Sequence, residues 1–108
     1  MRHSHRLPGL TFDPGIIVLS PGIHSALEQP SALRQYLDHF IECHLATDFG
    51  FISRSTRFDN TLAALFGSGE LTSRYFLPAS ISPPYTGLIV TTHLDAHTTT
   101  IRFAGEQE

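Results

Sequence analysis

The chain has 108 residues, 41% of them hydrophobic and 16% charged, with a formal net charge of −3. A chain of this length makes one domain and buries about 65% of its extended surface. That composition excludes intrinsic disorder, and the length leaves no room for a complete dinucleotide-binding sheet or an eight-stranded barrel.

All seven cations are Arg. Arg2 and Arg6 fall in the first six residues, so the remainder carries five Arg against ten acids, a charge of −5. Duplex binding needs a basic face that displaces counterions, and no basic run is present. Nucleic acid is therefore a disfavoured partner; a regulator of that kind would need a surface assembled from Arg2, Arg6, Arg54 and Arg57. An acidic body suits a basic protein surface instead. Cys43 is the single cysteine, which excludes an intrachain disulfide and fits a reducing cytoplasm. The opening MRHSHRLPGL lacks the apolar centre of a signal peptide, and the run Ile16–Leu19 is far too short to span a bilayer. The expectation is a cytoplasmic chain with no membrane segment.

Residues 1–11 read as a flexible polar arm and 12–108 as a single α+β domain. Phe12 to Ser20 is β-branched and apolar on both faces, the pattern of a buried strand. Pro21-Gly22 ends it, and Gly22 to Glu28 forms a short helical turn. Pro30 and Ser31 then open the clearest helix, whose apolar positions Leu33, Tyr36, Leu37, Phe40, Ile41 and Leu45 share one face. His44 falls inside that stripe and His39 outside it. A loop containing Asp48-Phe49-Gly50 leads to a second helix, about Arg57 to Phe66, predicted to bury Leu62, Leu65 and Phe66 and to end at Gly67 and Gly69.

Glu70 to Leu77 alternates as a strand with Leu71, Ser73, Tyr75 and Leu77 on one face. A proline-bearing loop, 78–86, precedes two strands, Gly87–Leu94 and His97–Ala104. A two-residue turn at Asp95-Ala96, or a four-residue loop with the same pairing, sets Val90 opposite Ile101 and Leu88 opposite Phe103. Sliding by one residue would put Val90 opposite Arg102, so this register is favoured. The sum is an antiparallel sheet of about four strands packed against two main helices. A small Thr-rich sheet leaves an edge to protect, which makes a homodimer an expected option.

Seven histidines invite a metal reading. His93 and His97 have the spacing of paired ligands on a helix, but here they straddle a hairpin and project to opposite faces. His39 and His44 sit about 140° apart on their helix, at roughly 100° per residue. A small metal-dependent enzyme or sensor would therefore have to use His44 with His93 or His97. No metal, cofactor or catalytic residue is assigned. Met1-Arg2-His3 could chelate copper through a free amino terminus, as any exposed sequence of that shape does. Ser82-Pro83-Pro84-Tyr85 matches the S-P-P-Y motif of amino-methyltransferases without the glycine-rich cofactor turn, and reads as a rigid loop. Gly67-Ser68-Gly69 lacks the Lys of a phosphate loop. His44 has no evident nucleophile, since Cys43 points elsewhere on the helix and no G-x-S-x-G is present.

An ordered set of residues carries more than any single motif. It comprises Gly15-Ile16-Ile17-Val18, Pro21-Gly22, Ala26-Leu27, His44, Asp48-Phe49-Gly50, Asn60, Gly67, Ser73, Tyr75, Leu88 to Thr92, Asp95 and Thr98 to Ile101. In this set the chain resembles a family of small proteins from plasmids, integrative elements and phages, labelled plasmid-related protein or, misleadingly, type I restriction endonuclease subunit M. The resemblance implies a mobile-element setting rather than a reaction. Family members carry Trp at the place of Phe49 and an acidic stretch where this chain has Phe51 to Phe58 with Arg54 and Arg57, so the partner surface differs.

The expected function is that of a non-enzymatic interaction protein of a mobile element that binds and inhibits or modulates a host protein, such as a CRISPR or restriction component. Phe49, Phe51, Arg54, Arg57 and Phe58, with His93 and Asp95 of the hairpin, are the candidate protein-binding residues, because they mix aromatics with Arg as interface hot spots do. His44, Asp48 and Asn60 are candidates for a functional or structural role.

Overall fold

The computed structural model describes residues 11–106 of the chain. The flexible-arm expectation and the Met1-Arg2-His3 motif fall outside these residues, apart from Thr11. Eight elements follow in order: β1 (Ile16–Leu19), α1 (Pro21–Leu27), α2 (Leu33–Leu45), α3 (Arg54–Phe66), β2 (Glu70–Phe76), β3 (Gly87–His93), a 3-10 turn (Leu94–Ala96) and β4 (Thr98–Phe103). They form an α+β fold with three helices and one four-stranded sheet in the order β1-β4-β3-β2. Among the described residues no helix is long and apolar enough to cross a membrane.

The β3–β4 hairpin has the register read from the sequence, with Val90 opposite Ile101 and Leu88 opposite Phe103. Its loop is the four-residue alternative: the 3-10 turn is followed by His97 in the left-handed region at φ 55°. The sheet is mixed rather than antiparallel, because β1 runs parallel to β4. That pairing joins segments about 80 residues apart, beyond the reach of any local pattern. β1 is also shorter than expected and lies at an edge. Ile16, Ile17 and Val18 are exposed rather than buried. Pro14 offers no donor to a ladder. Gly15 turns the chain at φ 65°, where a side-chain Cβ would stand 1.9 Å from the His97 carbonyl oxygen.

One face of the sheet carries the core. Tyr75, Leu88, Val90, Ile101 and Phe103 point to α1 and α2, which contribute Ile23, Leu33 and Leu37, while Leu71 packs with Phe49 and Ala63. Phe40 stacks on Tyr75 at 4.6 Å, and Tyr85 on Phe103 at 4.4 Å. The Glu106 carboxylate pins the start of α1 to the end of β4. It accepts hydrogen bonds from Ser20 Oγ (2.7 Å), the Gly22 amide (2.8 Å) and the Phe103 amide (3.1 Å). Desolvation pushes this carboxyl up, but the three hydrogen bonds, with Arg102 nearby, outweigh it and hold the pKa below the ordinary value.

Candidate functional site

α3 is built by clear end signals. Ser53 caps it, its side chain accepting from the Thr56 amide at 3.1 Å, and Gly67 closes it at φ 67°. It starts at Arg54, three residues before the expected position, because Ser53 supplies the cap. What seats it is polar. The Asn60 side-chain amide donates to the Thr72 carbonyl (2.8 Å), and its oxygen accepts from the Thr72 amide (2.9 Å). Asn60 thereby stands in for a neighbouring strand along the outer edge of β2. Next to it, the Arg74 amide donates to the Phe49 carbonyl, and the Phe51 amide donates to the Arg74 carbonyl. The small Ala63 completes the inward side of the helix.

This seating turns the large residues of α3 outward, correcting the expectation that Leu62, Leu65 and Phe66 are buried. Phe58 is 62% exposed, Leu65 60% and Phe66 77%, with Leu62 also at the surface. Phe58, Leu62 and Leu65 are spaced four and three residues apart, so they form one stripe. The exposed Arg54 lies four residues before Phe58 on the same side. A second exposed aromatic unit, Phe51 against Phe76 with ring centroids 4.2 Å apart, stands where the loop before α3 meets β2. A groove of about 630 Å³ runs between α3 and β2 and is lined by Leu62 and Phe66.

The other candidate residues are dispersed. Phe49 is fully buried, packed with Ala63 and Leu71, and is therefore a core residue rather than a contact residue. Phe51, Phe58 and Arg54 are exposed, whereas Arg57 is half-buried. His93 Nδ1 meets Glu70 Oε2 at 2.8 Å across the β2–β3 pair, on the sheet face opposite the core. Asp95 ties two turns together, accepting from Ser68 Oγ (2.9 Å) and the Gly69 amide (3.0 Å). Asp48 is buried, and its carbonyl accepts from the Tyr75 hydroxyl at 2.7 Å.

His44 sits in a buried hydrogen-bonded chain whose direction is fixed by counting protons. The Thr99 hydroxyl donates to the Pro14 carbonyl (2.7 Å), so it can only accept from Thr92 (2.7 Å). The Thr92 proton is then spent, and Thr92 accepts from His44 Nε2–H (2.8 Å). Nδ1 is left as the acceptor for the Ser73 hydroxyl. The acceptor role of Nδ1 belongs to the neutral imidazole, which burial favours by lowering the pKa from 6.5 to about 4. Ser73 and His44 are arranged as a nucleophile and base would be, but they are 0% and 1% exposed. Phe12 (5.2 Å) and Phe49 (6.0 Å) pack edge-on against the ring. The geometry supports a polar clasp joining α2 to β2 and β3, with no access for a substrate.

The structure does not bring His44 together with His93 or His97. Both His44 nitrogens are engaged by hydroxyls, His93 lies on the far face of the sheet, and His97 is in the exposed turn. Among the described residues no three His, Cys, Asp or Glu side chains converge as a metal site. Arg2 and Arg6 of the suggested basic surface lie outside the described residues, and Arg54 and Arg57 differ in exposure. Sequence reasoning missed Leu62, Leu65, Phe66 and Phe76 as surface residues. The signal was available in part: Phe76, the last residue of β2, falls between the buried Tyr75 and Leu77. No protein-family profile, curated protein or solved structure matches the chain.

Proposed function

We propose that this protein is an interaction module that docks a protein partner through the outer surface of α3 and the adjoining Phe51–Phe76 pair. The observation that carries this reading is the solvent-facing stripe of Phe58, Leu62, Leu65 and Phe66 on a helix held in place by other residues. Clustered apolar exposure costs solubility, and on soluble proteins it marks interaction sites. Aromatic anchors beside Arg54 have the composition of a binding hot spot. The resemblance to mobile-element proteins supports a host protein as the partner, with a CRISPR or restriction component as the concrete case, inhibited by occlusion of its working surface. Phage plating on cells with an active defence system tests it. Expression of the wild-type chain should raise plating, and Phe58→Glu with Leu65→Glu should abolish the rise. Equal plating by both, or no rise with either, counts against it.

A homodimer is a second reading with its own observation. β1 exposes Ile16, Ile17 and Val18, and among the described residues no strand pairs with its outer edge. The β2 edge is closed by Asn60 and by residues 49–51. One open edge favours a closed antiparallel pair over a polymer. Sedimentation of the wild type and of Val18→Lys tests this, the variant being monomeric if the edge is the interface.

A further inference from the structure

A cavity of about 420 Å³ lies between α2, the loop before α3, the first turn of α3 and the end of β2. Aromatic residues make its walls: Phe40 and Tyr75 from the stacked pair, and Phe51 and Phe76 from the exposed one. Arg57 lines it, and Arg57 Nη1 is buried with no hydrogen-bond partner. Among the described residues it is the one buried side-chain nitrogen or oxygen left in that state. A guanidinium keeps its charge at any physiological pH, so this donor cannot be relieved by deprotonation. A buried unsatisfied donor is rare in a native fold, and a bound acceptor is one physical account of it.

We propose that the cavity is a receptor for a carboxylate carried on an aromatic body. The aromatic walls would take the ring by stacking or edge contact, and a small turn of the Arg57 guanidinium would bring its unpartnered Nη1–H to a carboxylate oxygen. Asp48 also lines the cavity. The single guanidinium charge matches a singly charged acid. The volume is within the range of small-molecule sites. The assignment shares Phe51 and Phe76 with the docking surface but rests on the cavity and Arg57, not on the α3 stripe. The same chemistry can arrive as a free aromatic acid or as an acidic side chain beside an aromatic one on a docked chain.

The test is an NMR titration of the whole chain with two matched pairs of probes. The first pair is phenylacetate and phenylacetamide. The second is the blocked peptide acetyl-Ala-Phe-Asp-Ala-amide and its Asn counterpart. The acid of at least one pair should bind about tenfold or more tightly than its neutral partner, shifting Arg57 and Tyr75 resonances. Arg57→Met should remove that preference. Preference within the first pair assigns a free acid, and within the second alone a docked chain. Acid and neutral probes binding alike in both pairs, or no probe shifting the cavity resonances, would overturn the proposal. The comparison on the wild-type chain decides the matter even if Arg57→Met does not fold.

Discussion

α2 and α3 are both thirteen residues long, and both carry large apolar side chains at helical spacing. They use them in opposite senses. α2 buries Leu33 and Leu37 against the sheet face and leaves charged residues such as Arg34 and Asp38 outside. α3 faces inward with Asn60 and Ala63 and outward with Phe58, Leu62, Leu65 and Phe66. The difference lies in what each helix packs against. α2 lies over a sheet face, which offers apolar area. α3 lies along a strand edge, which offers unpaired backbone groups, and only a polar side chain can satisfy those. Amphipathicity thus reports that a helix has two sides without saying which side meets the core.

The largest expected effect comes from breaking the α2 seat. Leu37→Ala should cost about 2–5 kcal/mol, the range for a leucine removed from a packed core, read from urea unfolding. A cost below 1 kcal/mol (roughly the surface-mutation range) would mean that α2 is not the principal cover of the sheet.

Next comes the clasp that ties α2 to the strands. The folded pKa of His44, about 4, lies below its unfolded value of 6.5. Between those values the unfolded state binds more protons, so stability is full above pH 6.5 and falls as pH drops toward 4. The loss should reach about 3 kcal/mol near the lower end. Urea melts at neutral and acid pH should show this loss in the wild type and a smaller one in His44→Gln. The same pH dependence in both proteins would show that His44 is not the group responsible.

The α3 seat should matter somewhat less. Asn60→Ala strands the amide and carbonyl of Thr72 and should cost about 2 kcal/mol. Asn60→Asp keeps the acceptor but sets a buried carboxylate oxygen against the Thr72 carbonyl, so at neutral pH it should cost at least as much. Hydrogen exchange at the Thr72 amide is the direct readout, accelerating in Asn60→Ala, which removes its acceptor. Unchanged protection in Asn60→Ala would contradict the strand-mimic role.

The smallest effect is expected on the outer face of α3, where Leu65→Gln should shift stability by no more than about 0.5 kcal/mol. A loss of 2 kcal/mol or more (about the cost of a core truncation) would place Leu65 in the core and remove the contrast between the helices.

These contrasts explain what could be read from the residues alone. The β3–β4 register, the buried face of β2 and the inward stripe of α2 all follow from periodicity, because each packs apolar side chains on a sheet face. His44 was legible as an inward residue for the same reason. The rest depends on partners far away in sequence. Val18 looks like a core residue until β1 is placed at an edge. Leu62 and Phe66 look buried until Asn60 is seen to bond the β2 backbone. Phe49 looks like a contact residue until Leu71 and Ala63 close around it. Arg57 was legible as a candidate contact residue, but its unsatisfied nitrogen is a property of the folded cavity.

The most direct test of the central claim compares wild-type protein with Phe58→Glu/Leu65→Glu, measuring thermal unfolding and partner capture from nuclease-treated host lysate on the same preparations. The account predicts closely similar melting temperatures, with one stoichiometric protein held by the wild type and absent from the variant. A variant that melts far lower, or one that captures the same protein as well as the wild type, would contradict it.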